Sequence, residues 1–207
     1  MGSEGREEQT IKTDQDNALV VKDGVDLDLF AEPMMKLNSY LLELGFPKCA
    51  GDVMVSNPYW RRDVNGYKKL IEEWAGSMSD ESVQNLSVFL DAKSVAGDEN
   101  LLDELKIYLH SNFHSRDDVL AHIAKAVLNF ETPLSLFSGF VLEKSHANKL
   151  DLKKGGSFAI VHGVRTLALQ YGINETNTID RIKALNNQGT IDKNFASELI
   201  ESFDTLS

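Results

Sequence analysis

The residues of this 207-residue chain best suited to chemistry lie near its start, where Gly2-Ser3 is followed by Asp14-Gln15-Asp16 and then by the apolar Ala18-Leu19-Val20-Val21. On an extended strand alternate residues share a face, so Asp14 and Asp16 project together while Gln15 points the other way. Two converging carboxylates supply the hard oxygen ligands that Mg²⁺ takes, and Mg²⁺ shares its coordination with phosphate oxygens. A small Gly-Ser turn before them leaves backbone open to a triphosphate. The combination points to transfer of a nucleotidyl group.

Several elements must hold these residues in place. Asp-x-Asp reads as a strand running into Ala18–Val21. A helix is expected from Pro33 to Gly45, with Met34, Leu37, Leu41 and Leu44 at helical spacing, Pro near the start and Gly just past the end. Val53-Met54-Val55 reads as a short strand closed by the Asn57-Pro58 turn. From about Val64 to Ala75, Tyr67, Leu70, Ile71 and Trp74 mark an amphipathic helix. Ser87 to Val95 is rich in apolar and β-branched residues and reads as a strand carrying one acid, Asp91, although its start equally continues a preceding helix. From Glu99 onward the periodicity is helical, through Leu101, Leu105 and Leu109, then Val119, His122, Ile123 and Val127. Val161 to Tyr171, Ile179 to Leu185 and Phe195 to Phe203 continue it. Strands and helices in front, and helices alone behind, predict a catalytic domain over 1–112 and a helical domain over 113–207.

The net charge of −11 weighs against a nucleic-acid substrate, which needs a positive surface to neutralise its phosphates. Basic residues occur only in small groups, at Arg61-Arg62, Lys68-Lys69 and Lys153-Lys154. Nucleotides, small molecules or another protein remain as partners. No apolar run is long enough to cross a bilayer, and the acidic N-terminal stretch is unlike a secretory signal. The single cysteine, Cys49, excludes an intrachain disulfide and a cysteine-rich zinc site. The cytoplasm is the default compartment.

Four segments, GSEGREEQTIKTDQDNAL, CAGDVMVSNPYWR, FLDAKSVAGD and LDLKKGGSFAIVHGVRTLAL, resemble in this order a family of bacterial nucleotidyltransferases. That family lies in the DNA polymerase β superfamily and is related to the uridylyltransferase that modifies the nitrogen regulator PII. Its module usually follows cyclic-nucleotide-binding and CBS domains in signal-transduction proteins. The resemblance covers nearly the whole chain and implies an α+β fold, with a polymerase-β-like α/β domain followed by a helical bundle termed a substrate-binding domain. It implies that Gly2 and Ser3 meet the triphosphate and that Asp14 and Asp16 bind Mg²⁺ or Mn²⁺. The third carboxylate would be Asp91, with Asp52 as its rival. In that fold the Gly-Ser turn follows a first strand, whereas only Met1 precedes Gly2 here. The sheet is therefore expected to lack that strand, as in a fragment of a longer protein or a chain whose start is misplaced, and to present an edge that another chain could cover, a homodimer partner included.

The reaction implied is an in-line displacement at the α-phosphorus with pyrophosphate leaving, passing a uridylyl or adenylyl group from an NTP to a protein or small acceptor. Arg6 and Lys12 are candidates to pair with phosphates, Arg6 through bidentate contacts. Lys153 and Lys154, just before a helix, could receive an anionic group at its N-terminus. His162 and Arg165 share a face of that helix, where they would serve either the site or buried polar groups between helices. His110 and His114 have i, i+4 spacing but lack the Glu of a His-Glu-x-x-His site, so they read as surface residues. Trp60 and Trp74 read as core anchors, and Asn57 and Arg61 as parts of a structural turn or neighbours of the nucleotide. The alternative from another class is a catalytically degenerate nucleotide-binding or interaction module of a CBS-domain signalling protein; an RNA-tailing enzyme is disfavoured by charge. Three converging carboxylates would mark catalysis, and a dispersed Asp91 and Asp52 would mark the binding module.

Overall fold

Apolar residues recurring every three or four positions dominate the sequence, and helices dominate the result. The structure, a computed structural model, describes residues 1–9, 14–77, 79–128 and 156–206. In chain order the elements are α1 (Gly2–Gly5), β1 (Leu19–Val21), α2 (Ala31–Glu43), β2 (Arg61–Asp63), α3 (Val64–Ser77), α4 (Asp80–Leu90), α5 (Asn100–Phe113), α6 (Asp117–Leu128), α7 (Phe158–Gln170), α8 (Thr178–Asn187) and α9 (Lys193–Leu206). The architecture is α+β. The chain divides into two compact units, Met1–Ser111 and Asn112–Ser207.

In the first unit β1 and β2 pair in parallel, with Leu19 opposite Arg61 and Val21 opposite Asp63. Parallel strands need a long crossover, and the connection that carries α2 supplies it. The core forms where α3 and α4 pack. Trp60, Tyr67, Leu70, Ile71, Trp74, Leu86 and Phe89 are buried there, with the Tyr67 and Phe89 rings stacked at 5.4 Å and the Trp60 and Trp74 rings 5.6 Å apart. Both tryptophans are therefore core anchors. On α5, Lys68 of α3 pairs with Glu104 at 2.6 Å, and Tyr108 hydrogen-bonds Glu72. In the second unit, Val164, Ala168, Ile182, Leu185 and Ala196 from α7, α8 and α9 share one core. Asn177 starts α8 by accepting the Ile179 and Asp180 N–H groups at 3.0 and 3.2 Å.

Two expected strands are absent and a third is shortened to Leu19–Val21. The segment from Ser87 to Val95 is not a strand: residues 80–90 form α4 and Ala92–Val95 has no regular structure. Ser79 caps that helix by accepting the Ser82 N–H, Asp80 and Glu81 suit the positive end of its dipole, and Val83, Leu86, Phe89 and Leu90 supply the buried face. Val53-Met54-Val55 is buried but turned rather than extended, because Asn57 N–H bonds back to the Met54 carbonyl at 2.9 Å. One residue, Asn17, satisfies this segment: its N–H donates to the Val53 carbonyl at 3.0 Å and its Oδ1 accepts the Val55 N–H at 2.8 Å. Asp14 to Ala18 is likewise without ladder pairing, and β1 begins at Leu19. The helix expected from Pro33 starts two residues earlier, at Ala31, and closes as anticipated at Gly45. There, at φ 82, its N–H reaches the Leu42 carbonyl at 2.8 Å.

Candidate nucleotide and metal site

The segment carrying Asp14 and Asp16 is held by its middle residue. Gln15 is buried, its N–H bonds to the Pro47 carbonyl at 3.0 Å, and its Nε2 donates to the Phe46 carbonyl at 3.1 Å. Backbone alternation then turns both aspartates to the opposite side, although no strand is formed. There Asp14, Asp16 and Cys49 each bring a potential ligand atom within 4.8 Å of the others, and among the described residues this is the one such grouping. His110 and His114 do not belong to it.

Around Asp16 the chemistry is that of an acidic cluster. The Cys49 thiol hydrogen-bonds the Asp16 carboxylate, and the Glu4 carboxylate accepts the Asp16 backbone N–H. Burial raises the Asp16 pKa above the ordinary aspartate value; the Cys49 bond opposes this, and the Asp14 charge adds to it. Glu4 is also raised, chiefly by burial, with the charges of Asp16 and Asp14 contributing. Burial lifts the Cys49 thiol to about 11, so at neutral pH it is a protonated donor and not a thiolate. The site suits a hard divalent cation: two carboxylates face each other at a cost that a cation would relieve, and the thiol bonds to one of them.

Gly2 completes this side of the site. It has φ 56, a conformation glycine adopts without strain, and a Cβ added there would stand 2.6 Å from Asp16 Oδ2. The Met1 nitrogen donates to the Asp16 carbonyl at 2.7 Å. Gly2 therefore lies directly against Asp16, with Ser3 next to it in the single turn of α1.

The other predicted residues are placed differently. Asp91, fully buried at the C-terminal cap of α4, accepts from Arg6 Nη1 at 2.6 Å, while Arg6 Nε donates to Glu8 at 2.6 Å. Burial opposes the guanidinium charge, but Asp91 and Glu8 outweigh it and the Arg6 pKa rises. Asp91 is thus not grouped with Asp14 and Asp16, and the strand setting that suggested it as third ligand is a helix end. Asp52 is exposed at φ 54, with Asn57 Nδ2 bound to its carboxylate at 2.9 Å. Arg61 is buried and donates to the Val55 and Ser56 carbonyls at 2.7 and 2.9 Å, a structural use. Asn57 Oδ1 accepts the Tyr59 N–H at 2.9 Å as the cap of a short 3₁₀ turn. In the second unit Arg165 is buried, with Nη1 3.2 Å from His162 Nδ1, and the His162 ring stacks on Phe158. Lys12, Lys153 and Lys154 lie outside the described residues.

Glu4 and Cys49 were not among the residues the sequence singled out. Cys49 does open the CAGDVMVSNPYWR segment, and Glu4 sits inside the Gly-Ser turn, so each was marked by position though not by type. The Arg6–Asp91 pair was visible as two residues of interest but not as partners.

In the first unit a glycine-containing turn lies against paired carboxylates, and the second unit is built of helices. Residues 1–81 match the family model described as "Putative nucleotidyltransferase DUF294", and residues 117–207 match that described as "Putative nucleotidyltransferase substrate binding domain". The two matches span most of the chain and support a nucleotidyltransferase family for it. No curated protein and no solved structure matches the chain. No helix among the described residues is long and apolar enough to cross a membrane.

Proposed function

We propose that this chain transfers a nucleoside monophosphate, uridylyl or adenylyl, from an NTP to a protein or small acceptor in the manner of the PII uridylyltransferases, using Mg²⁺ or Mn²⁺ held by Asp14 and Asp16. The observation that carries the proposal is the convergence of Asp14 and Asp16 beside Gly2 and Ser3, with Asp16 half-withdrawn from water and pushed toward its neutral form. A bound divalent cation would neutralise phosphate charge and orient the phosphorus under attack. The chain's own residues do the positioning: Gln15 fixes the loop, Cys49 orients the Asp16 carboxylate, and the missing Cβ at Gly2 leaves room beside Oδ2. The family matches support nucleotidyl transfer as a class; the uridylyl or adenylyl group, the acceptor and a place beside CBS and cyclic-nucleotide-binding domains in signal transduction belong to the proposal. The second unit, matched as substrate binding, would receive the acceptor or the nucleotide, with Lys153 and Lys154 as candidate anion contacts.

A specific observation favours the alternative, a non-catalytic nucleotide-binding module: Asp91 is engaged by Arg6 and Asp52 by Asn57, so neither joins Asp14 and Asp16. Glu4 is the third carboxylate beside them. Pyrophosphate release with each of the four NTPs, with and without Mg²⁺ or Mn²⁺ and with candidate acceptors, separates the two. Metal-dependent release is expected; NTP binding with no turnover under any of these conditions would leave the binding module standing.

A further inference from the structure

Both ends of the opening turn are clamped, and the far clamp is Asp91. At one end Gly2 lies against Asp16. At the other, Gly5 is packed so tightly on the end of α4 that a Cβ would stand 2.0 Å from the Asp91 carbonyl oxygen, a distance no side chain could occupy. Arg6 follows immediately and closes on the Asp91 carboxylate at 2.6 Å, the Asp91 side chain being 0 % and that of Arg6 12 % exposed. Glu7, at φ 57, adds an ion pair to Lys93, just past Asp91. The end of α4 is itself rigid, since Phe89 stacks on Tyr67 and Leu86 and Leu90 are buried. A path of packed groups therefore runs from the core through Asp91 and Arg6 to the turn that faces the paired carboxylates.

We propose that Asp91 is a positioning residue and not a metal ligand: by holding Arg6 and Gly5 it fixes Gly2 and Ser3 in register with Asp16, and so sets the affinity for the triphosphate independently of the affinity for the metal. This rests on the nucleotide reading given above. A turn anchored to a helix end can present backbone groups to phosphate with little reorganisation, whereas a free turn would have to be ordered by the ligand. Arg6 in this arrangement acts on phosphate through the turn it holds.

The test is a pair of titrations on the full chain. Mn²⁺ alone is followed by electron paramagnetic resonance, and each of the four NTPs in saturating Mn²⁺ is followed by calorimetry, for the wild type, Asp91→Asn and Arg6→Lys. A displaced turn should weaken NTP binding by about tenfold to a hundredfold in both variants. Mn²⁺ affinity should stay at the wild-type value. A metal ligand would show the reverse pattern, with Mn²⁺ binding weakened by about tenfold or more in Asp91→Asn, and that outcome overturns the proposal. So does unchanged NTP affinity in variants that remain folded by circular dichroism. Should Asp91→Asn not fold, Arg6→Lys, which keeps the charge but not the fork of donors, decides by the same two readouts. A wild type that binds no NTP overturns the nucleotide reading and this one with it. A wild type that binds while neither variant differs overturns this one alone.

Discussion

Asp16 and Asp91 stand at opposite ends of the same short turn, and the chain provides for them in opposite ways. Asp91 is fully buried and has a guanidinium at 2.6 Å. Asp16 is half-buried among Asp14, Glu4 and a neutral thiol, and its pKa is raised, chiefly by burial, with Arg6 acting on it more weakly than Asp14 does. A carboxylate that carries its cation inside the fold has finished its electrostatic work when the chain folds. One that is left facing like charges is a place where something bound completes the structure. In sequence Asp91 lies between Leu90 and Ala92 and Asp16 between Gln15 and Asn17, and neither setting shows which of them will meet a guanidinium; that difference is made by long-range contacts.

The comparison breaks most visibly if the roles are wrong at the acidic pair. Asp14→Asn or Asp16→Asn should reduce metal-dependent pyrophosphate release by about a thousandfold, equivalent to about 4 kcal/mol of transition-state stabilisation, with the fold retained. Rates within about threefold of wild type would remove the pair from the chemistry. At the other end, Asp91→Ala removes the fully buried partner of Arg6 and leaves its pair with Glu8, and urea unfolding should show a loss of about 2 kcal/mol. A loss below about 1 kcal/mol would mean that the pair behaves like one on the surface.

The smallest effect has the opposite sign. The folded-state pKa of Asp16 is raised, so as pH climbs through the carboxylate range the unfolded chain gives up its proton first and ionisation weakens the metal-free fold. Asp16→Asn removes that penalty and should stabilise the metal-free protein by about 1 kcal/mol near pH 7. The gain should fade below the ordinary aspartate pKa, where Asp16 is protonated in both states. Urea midpoints at neutral and acidic pH measure it, and destabilisation at neutral pH would show that the carboxylate is satisfied within the fold.

Much of the fold could be read from periodicity, because helices such as α3 announce themselves through Tyr67, Leu70, Ile71 and Trp74, whose spacing alone defines a buried face. Where that signal was short it misled. Ser87 to Val95 carries apolar and β-branched residues of the kind strands favour, yet its first residues complete the periodic face of a helix that began at Asp80. β2 was invisible for the opposite reason: Arg61-Arg62-Asp63 looks like surface, and only pairing with β1 and the carbonyls bound by Arg61 explain a strand there. At the site, the approach of Asp14 to Asp16 was legible because i, i+2 spacing fixes it locally. Glu4, Cys49 and the Arg6–Asp91 pair depend on where distant segments return, which no local pattern encodes.

Gly5 and Asp91 meet backbone to backbone, and this limits how the protein can vary. A crowded side chain can usually be accommodated by trimming its neighbour, but the group that opposes position 5 is a carbonyl oxygen, which every residue at position 91 would present. No second substitution at that neighbour can therefore make room. In a randomised library position 5 should remain glycine whatever is allowed at 91.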